Sequence, residues 1–159
     1  MQIFIPYPQP IEVARCLDKR RLNKQIIEAK QIISAIVKTD RGQVTAWASH
    51  PVVKMYRGNT EWLQLYTDCL EYYRDGREDI AIHLSNQADR CRPKWMTEAL
   101  CNTHKRRLVE KDREFYKKFW LYGISSINYY VVDGKVLGYS NGKYIFTKTL
   151  EWLNNGQED

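Results

Sequence analysis

The run RCLDKRRLNKQIIEAKQIISAIV, from Arg15 to Val37, constrains this chain more than any other stretch. Leu22, Ile26, Ala29, Ile33 and Ile36 recur at intervals of three and four, the period of a helix with one apolar stripe. Beside the stripe, Arg21, Gln25 and Glu28 stand at i, i+4 and i+7, with Lys24 one turn before Glu28, so a single carboxylate shares a face with two cations and an amide. The pattern predicts one long helix from about Ile11 to Val37, with Pro10 in its first turn. A solvated face laced with ion pairs would have this spacing, and so would a surface built to hold an anion.

Around that helix the chain divides by turn signals. Ile3 to Ile5 predicts a short extended piece, which Pro6, Pro8 and Pro10 continue as a stiff arm. Thr39 to Ser49 lacks a sustained period and contains Gly42, so a loop or a short helical turn is expected. A second long helix starts at Pro51, breaks near Gly58, resumes with Thr60 as N-cap and ends at Gly76. Arg77 to Pro93 fits either a short helix or a loop. Met96 to Cys101 and His104 to Trp120 read as helical, the latter with Leu108, Phe115 and Phe119 on its apolar side. Then the character changes: INYYVVDGKVLGYSNGKYIF sets β-branched and aromatic residues around Asp133-Gly134 and Asn141-Gly142, two strong hairpin-turn signals, so a two- or three-stranded meander follows. Leu150 to Leu153 adds a last helical turn before a polar tail. The expected class is mainly α, a single-domain helical bundle over residues 1–120 with a β-rich extension, 121–159, packed on it.

Lys and Arg outnumber Asp and Glu by 25 to 19, a net charge of +6, which favours a polyanionic partner. The excess is local: Arg15 to Lys30 holds six basic and two acidic side chains, and His104 to Lys118 seven and three. Cys16, Cys69, Cys91 and Cys101 show no CxxC spacing and read as reduced core thiols of a cytosolic protein. The opening MQIFIPYPQP has no basic region followed by an apolar run, and no stretch approaches the length of a membrane span, so neither export nor membrane insertion is expected. P-loop, GxGxxG, HExxH and GxSxG motifs are missing, and three histidines lack close metal spacing, which argues against P-loop hydrolysis, serine hydrolysis and structural zinc. No metal or cofactor is expected.

Glu28, a lone acid inside a basic patch, is suited to proton transfer. Breaking an N-glycosidic bond and then the backbone at the abasic site also gains from a neutral amine able to form an imine at C1′. Lys24 is one candidate, but an ordinary lysine side chain is almost wholly protonated at neutral pH. The chain's α-amine, with a reference pKa of about 7.7–8.0, is partly neutral. The large Gln2 side chain disfavours removal of Met1, so that amine is expected on Met1. Phosphate contacts are expected from Arg21, Lys24, Gln25, His50, Lys54 and Arg57, and from a second cluster, His104, Lys105, Arg107 and Lys111. Tyr7, Trp47, Tyr56 and Trp95 are candidates to stack on a displaced base.

Three motifs in order, LDKRRLNKQIIEA (Leu17 to Ala29), SHPVVKMYRG (Ser49 to Gly58) and THKRRLVEKDREFY (Thr103 to Tyr116), resemble the pyrimidine dimer DNA glycosylase family over about residues 1 to 120. The resemblance is to relatives carrying LxxxRLxKQ and HPxxxMxRG. It implies a mostly helical, metal-independent enzyme in which an N-terminal α-amine attacks C1′, a glutamate on the first long helix is essential, and β-elimination cuts the strand. By position that glutamate is Glu28. Ile27 stands where the family carries an arginine, and the chain begins Met1-Gln2 where the family exposes a threonine amine. The expected activity is a DNA glycosylase with abasic-site lyase activity on damaged or modified pyrimidines in double-stranded DNA. The protein is expected to work as a monomer in the cytoplasm, the host's if phage-encoded. The alternatives are a DNA-binding protein that kept the fold and lost the chemistry, or an enzyme using Glu28 on a free base or nucleoside.

Overall fold

In the computed structural model, which describes residues 1–120 and 125–155, the chain is mainly helical with a small antiparallel sheet near its end, as the sequence predicts. Residues 121–124 of the expected extension and residues 156–159 of the polar tail expected after Leu153 lie outside the described residues. In chain order the elements are α1 (Pro10–Cys16), α2 (Lys19–Asp40), α3 (Pro51–Tyr56), α4 (Thr60–Arg74), α5 (Glu78–Arg90), α6 (Glu98–Lys111), α7 (Arg113–Tyr116), β1 (Asn128–Val132), β2 (Lys135–Ser140), β3 (Lys143–Thr149) and α8 (Leu150–Asn154). Contacts divide them into two units, one of Met1–Phe4 with Gln9–Pro93, the other of Ile5–Pro8 with Lys94 onward.

In the first unit the predicted long helix is two helices. The Asp18 side chain accepts from the backbone N–H of Arg21 at 3.2 Å and caps α2, while Leu17 adopts an extended conformation that closes α1. An aspartate so placed gives the backbone a local partner that a continuous helix would deny it. The buried stripe of α2 runs through Leu22, Gln25, Ile26, Ala29, Ile32, Ala35 and Ile36, with Ile33 half-buried beside it. The residue entering α4 is Asn59, and Thr60 is its first helical residue. Gly76, at φ +81°, ends that helix where the sequence predicts. The stretch compatible with helix or loop is α5, whose buried face consists of the small residues Ala81, Ser85 and Ala88. Helix α4 contacts α1, α2 and α5 and buries Trp62, Leu63, Tyr66, Cys69 and Leu70. Trp62 stacks on Tyr56 and Tyr66, with ring centroids 6.0 and 5.2 Å apart.

Residues 1–5 form no strand, although Gln2 to Ile5 are buried. Buried peptide groups without partners are expensive, so a segment outside any sheet must find side chains to bond. Gln25 serves the first unit's share: its Oε1 accepts from Phe4 N–H at 2.8 Å and its Nε2 donates to the Gln2 carbonyl at 2.9 Å. Tyr66 completes the arrangement, its hydroxyl 2.9 Å from the Phe4 carbonyl and 3.2 Å from Gln25 Oε1.

In the second unit the meander has strand order β1-β2-β3, all antiparallel. Tyr129 pairs with Gly138 and Gly138 with Phe146, and the register shifts between Gly138 and Tyr139. Both two-residue turns take left-handed backbone at both positions, φ +52° and +74° at Asp133-Gly134 and +51° and +77° at Asn141-Gly142. That geometry matches the twist of the strands it joins. The Phe146 ring lies over Gly138 so closely that a Cβ there would meet it at 2.5 Å. Helix α6 packs on β1 and α8.

Gln25→Ala should destabilise the protein by about 2–3 kcal/mol in urea unfolding, because it removes the side-chain partner of a buried N–H and of a buried carbonyl of the arm. Amide exchange at Phe4 should accelerate with it. A fully protected Phe4 amide in this variant would show that the arm is held by packing alone.

Candidate active site

The site expected from the sequence is built on α2 and the arm it holds. Glu28 follows Gln25 by three residues, so the lone acid stands one turn from the amide that fixes the carbonyl of Gln2. Its side chain is only 14% exposed and lies 3.7 Å from Lys24 Nζ, whose own side chain is 68% exposed. Arg21 is turned back onto Asp18, Nη1 to Oδ1 at 3.2 Å, an ion pair that also steadies the start of the helix.

Burial holds the His50 ring below its ordinary range, and the positive amino end of Met1 lowers it further. Burial likewise pushes the Tyr66 hydroxyl well up, with smaller contributions from Tyr56, Cys16, Cys69 and then Glu28. Half-buried Met1 is thus within electrostatic reach of His50, and Glu28 within reach of the Tyr66 hydroxyl that helps hold the arm. His50 also acts locally, where its Nδ1 accepts from Val52 N–H at 3.1 Å and caps α3.

Not every residue expected at a phosphate is placed to reach one. Gln25 is 2% exposed and holds the arm, so it is a positioning residue with no access to a bound polyanion. His104, expected at a phosphate in the second cluster, is 1% exposed. Its Nδ1 accepts from Ile5 N–H at 2.9 Å and its ring bonds the backbone of Tyr129, so it ties residue 5 and β1 to α6. Arg107 is mostly buried, donating to Asn128 Oδ1 at 2.9 Å and pairing with Glu110. Tyr56, a candidate stacking ring, lies wholly in the core.

The remaining cations are better placed. Lys54 is exposed, and Arg57 pairs with Asp40 at 2.8 Å with both side chains about half exposed. Such a surface pair contributes about 0–1 kcal/mol, so a phosphate can displace the carboxylate. In the second unit Lys111 is exposed, and Lys105 Nζ sits 4.7 Å from the centre of the Tyr7 ring. The Tyr7 hydroxyl accepts from Trp120 Nε1 at 3.1 Å.

Tyr66, whose hydroxyl sits in the clamp, carries no signal in the sequence, because a tyrosine in an apolar stripe looks like packing material. The four cysteines are unbridged, and burial pushes the Cys69 thiol up to about 12, which leaves it inert. Among the described residues no three metal-binding side chains cluster, and no helix is long and apolar enough to cross a membrane.

Residues 1–73, which carry the arm, Gln25, Glu28, His50 and Tyr66, match the family model described as pyrimidine dimer DNA glycosylase. The N-terminal segment is thus similar to that family. The match takes in the first two sequence motifs and stops before the third, Thr103 to Tyr116. No curated protein and no solved structure gives a match. Within the matched segment, Ile27, at the position before Glu28, is 57% exposed, so no buried packing demands an apolar residue there.

Burial lowers the His104 pKa from 6.5 to about 4, against a smaller upward pull from its bond to the Tyr129 backbone. A depressed folded value means that the unfolded chain binds the extra proton first. The stabilisation is therefore complete above pH 6.5 and is lost as pH falls towards 4, by about 3 kcal/mol for this group. The thermal midpoint should fall over that window in the wild type. In His104→Gln it should be lower at pH 7 and less sensitive to acid, and parallel pH profiles for the two proteins would rule this assignment out.

Proposed function

We propose that the protein is a DNA glycosylase with abasic-site lyase activity on damaged or modified pyrimidines in double-stranded DNA. One observation supports this reading: Gln25, one turn before Glu28 on α2, bonds the backbone of Gln2 and Phe4, inside the segment that matches the glycosylase family. An amine and an acid are the two groups the chemistry needs, and preorganised placement of both replaces an entropically costly encounter.

In the proposed reaction the Met1 amine, as its neutral form, attacks C1′ of the target nucleotide. The N–C1′ bond forms as the C1′–base bond breaks, and the departing base carries away the electron pair. Loss of the amine proton and opening of the sugar ring give an imine. Glu28 stabilises the positive charge developing at the sugar and then moves the C2′ proton whose removal expels the 3′ phosphate. Arg21, Lys24, Lys54 and Arg57 on the first unit, and Lys105 and Lys111 on the second, supply salt-sensitive phosphate contacts. Half-buried Tyr7 and Trp95 are the rings available to a displaced base. The proposed protein acts as a monomer in the cytoplasm.

Sodium borohydride with a duplex containing an abasic site should trap a covalent adduct, abolished when the amino end is blocked. Glu28→Gln should lower strand scission by about 10²–10⁴-fold while leaving duplex binding nearly unchanged. The exposed Ile27, in place of a cation, favours a second reading in which the fold binds DNA without cutting it. A salt-sensitive mobility shift with neither adduct nor nick would establish that reading and end the first.

A further inference from the structure

We propose that a groove on the first unit, between α2 and residues 43–48, is a subsite for one unpaired nucleotide of a single strand. The groove holds about 450 Å³, within the range of about 300–1,000 Å³ of ligand sites. Ile27, Lys30, Ser34 and Lys38 line it from α2, and Thr45 and Trp47 from the loop. On the helix, at about 3.6 residues per turn, this row lies about 140° around the axis from Arg21, Gln25 and Glu28, so it is a separate face. The proposal stands independently of the chemistry assigned to Glu28.

Its lining selects the occupant. Trp47 and Ile27 leave 42% and 57% of their surface exposed, and both face a concave, solvent-filled space. The Trp47 ring is not loose: its edge packs on His50 with centroids 5.6 Å apart, and the backbone that carries it is fixed, with the Trp47 main-chain N–H donating to Thr45 Oγ1 at 3.3 Å and the Trp47 carbonyl accepting from His50 N–H at 2.9 Å. A held indole facing an aliphatic wall suits a flat aromatic ligand. The lining holds two lysines and no carboxylate; Lys30 pairs with Glu71, while Lys38 makes no ion pair among the described residues. The charge requirement is therefore for an anion near the indole. Gln31, Ser34 and Thr45 offer hydrogen bonds to a polar ring edge.

A nucleobase with its backbone phosphate meets all three demands. A paired, stacked base exposes no ring face, so the occupant must come from an unpaired stretch. A free hydrophobic ligand would leave Lys38 and the polar side chains without a role, and an acidic peptide would leave the indole without a stacking partner.

The test is fluorescence anisotropy of a labelled oligo(dT) and of a labelled duplex, with wild type, Trp47→Ala, Trp47→Phe and Lys38→Gln. Trp47→Ala should bind oligo(dT) about tenfold more weakly, since stacking on one base is worth roughly that much. Trp47→Phe, which keeps a ring, should recover most of the loss. Lys38→Gln should lower the slope of log affinity against log salt by about 0.7, one phosphate's share for a single strand. Duplex binding should change little in any of them. Unchanged oligo(dT) binding by Trp47→Ala, or an equal loss for duplex and single strand, overturns the proposal. So does a loss that Trp47→Phe fails to recover. Abasic-site trapping is measured separately, and its failure would leave this result standing.

Discussion

Everything at the candidate site depends on one side-chain amide. Gln25 faces a segment of chain that is buried without belonging to a sheet, and supplies a donor and an acceptor to it at 2.9 and 2.8 Å. An amide can do this because it presents both functions in one plane, spaced much as the backbone of a neighbouring strand would present them. Replacing that strand with one glutamine holds Gln2 and Phe4 against α2 without a sheet. Tyr66 adds a second donor from α4, so two helices define where the first four residues lie. In the second unit His104 plays the corresponding part for residue 5, as a neutral ring that accepts from one peptide and bonds the backbone of another.

This use of polar groups in the interior explains why part of the basic and polar pattern has no path to a ligand. Gln25 and His104 sit among charged neighbours in the sequence, yet burial removes both from solvent. The cations of these clusters are of two kinds. Arg21 and Arg107 are turned onto their own helices or onto β1, with the stiffness that ion pairs and a shielded environment give them. Lys24, Lys54, Arg57 and Lys111 are exposed, and any pairing they make there is weak enough to be exchanged for phosphate. The net charge of +6 by itself does not distinguish the exposed cations from the shielded ones.

Where the sequence is legible, the reason is local. Asp133-Gly134 and Asn141-Gly142 announce hairpins because few residues accept the left-handed backbone that such turns require. Gly76 marks a helix end for the same steric reason. Helix α5 is ambiguous in the sequence because its buried face is Ala81, Ser85 and Ala88, small residues with little hydropathy contrast, and Ser85 Oγ is there to accept from Ile11 N–H at 3.1 Å. The length of the periodic pattern hides the break before α2. A single capping aspartate, Asp18, outweighs it by bonding the N–H of Arg21.

The sequence by itself determined the helical class, the meander with its two turns, and the presence of a lone acid among cations on one helix, since each follows from interactions within a few residues. Tertiary structure alone decided which of those residues face solvent and which hold the chain's first segment. That choice turns on hydrogen bonds between residues as far apart as Gln2 and Gln25, Phe4 and Tyr66, or Ile5 and His104. No periodicity reports such pairs, because an unpaired buried peptide group is costly only after the chain has folded around it.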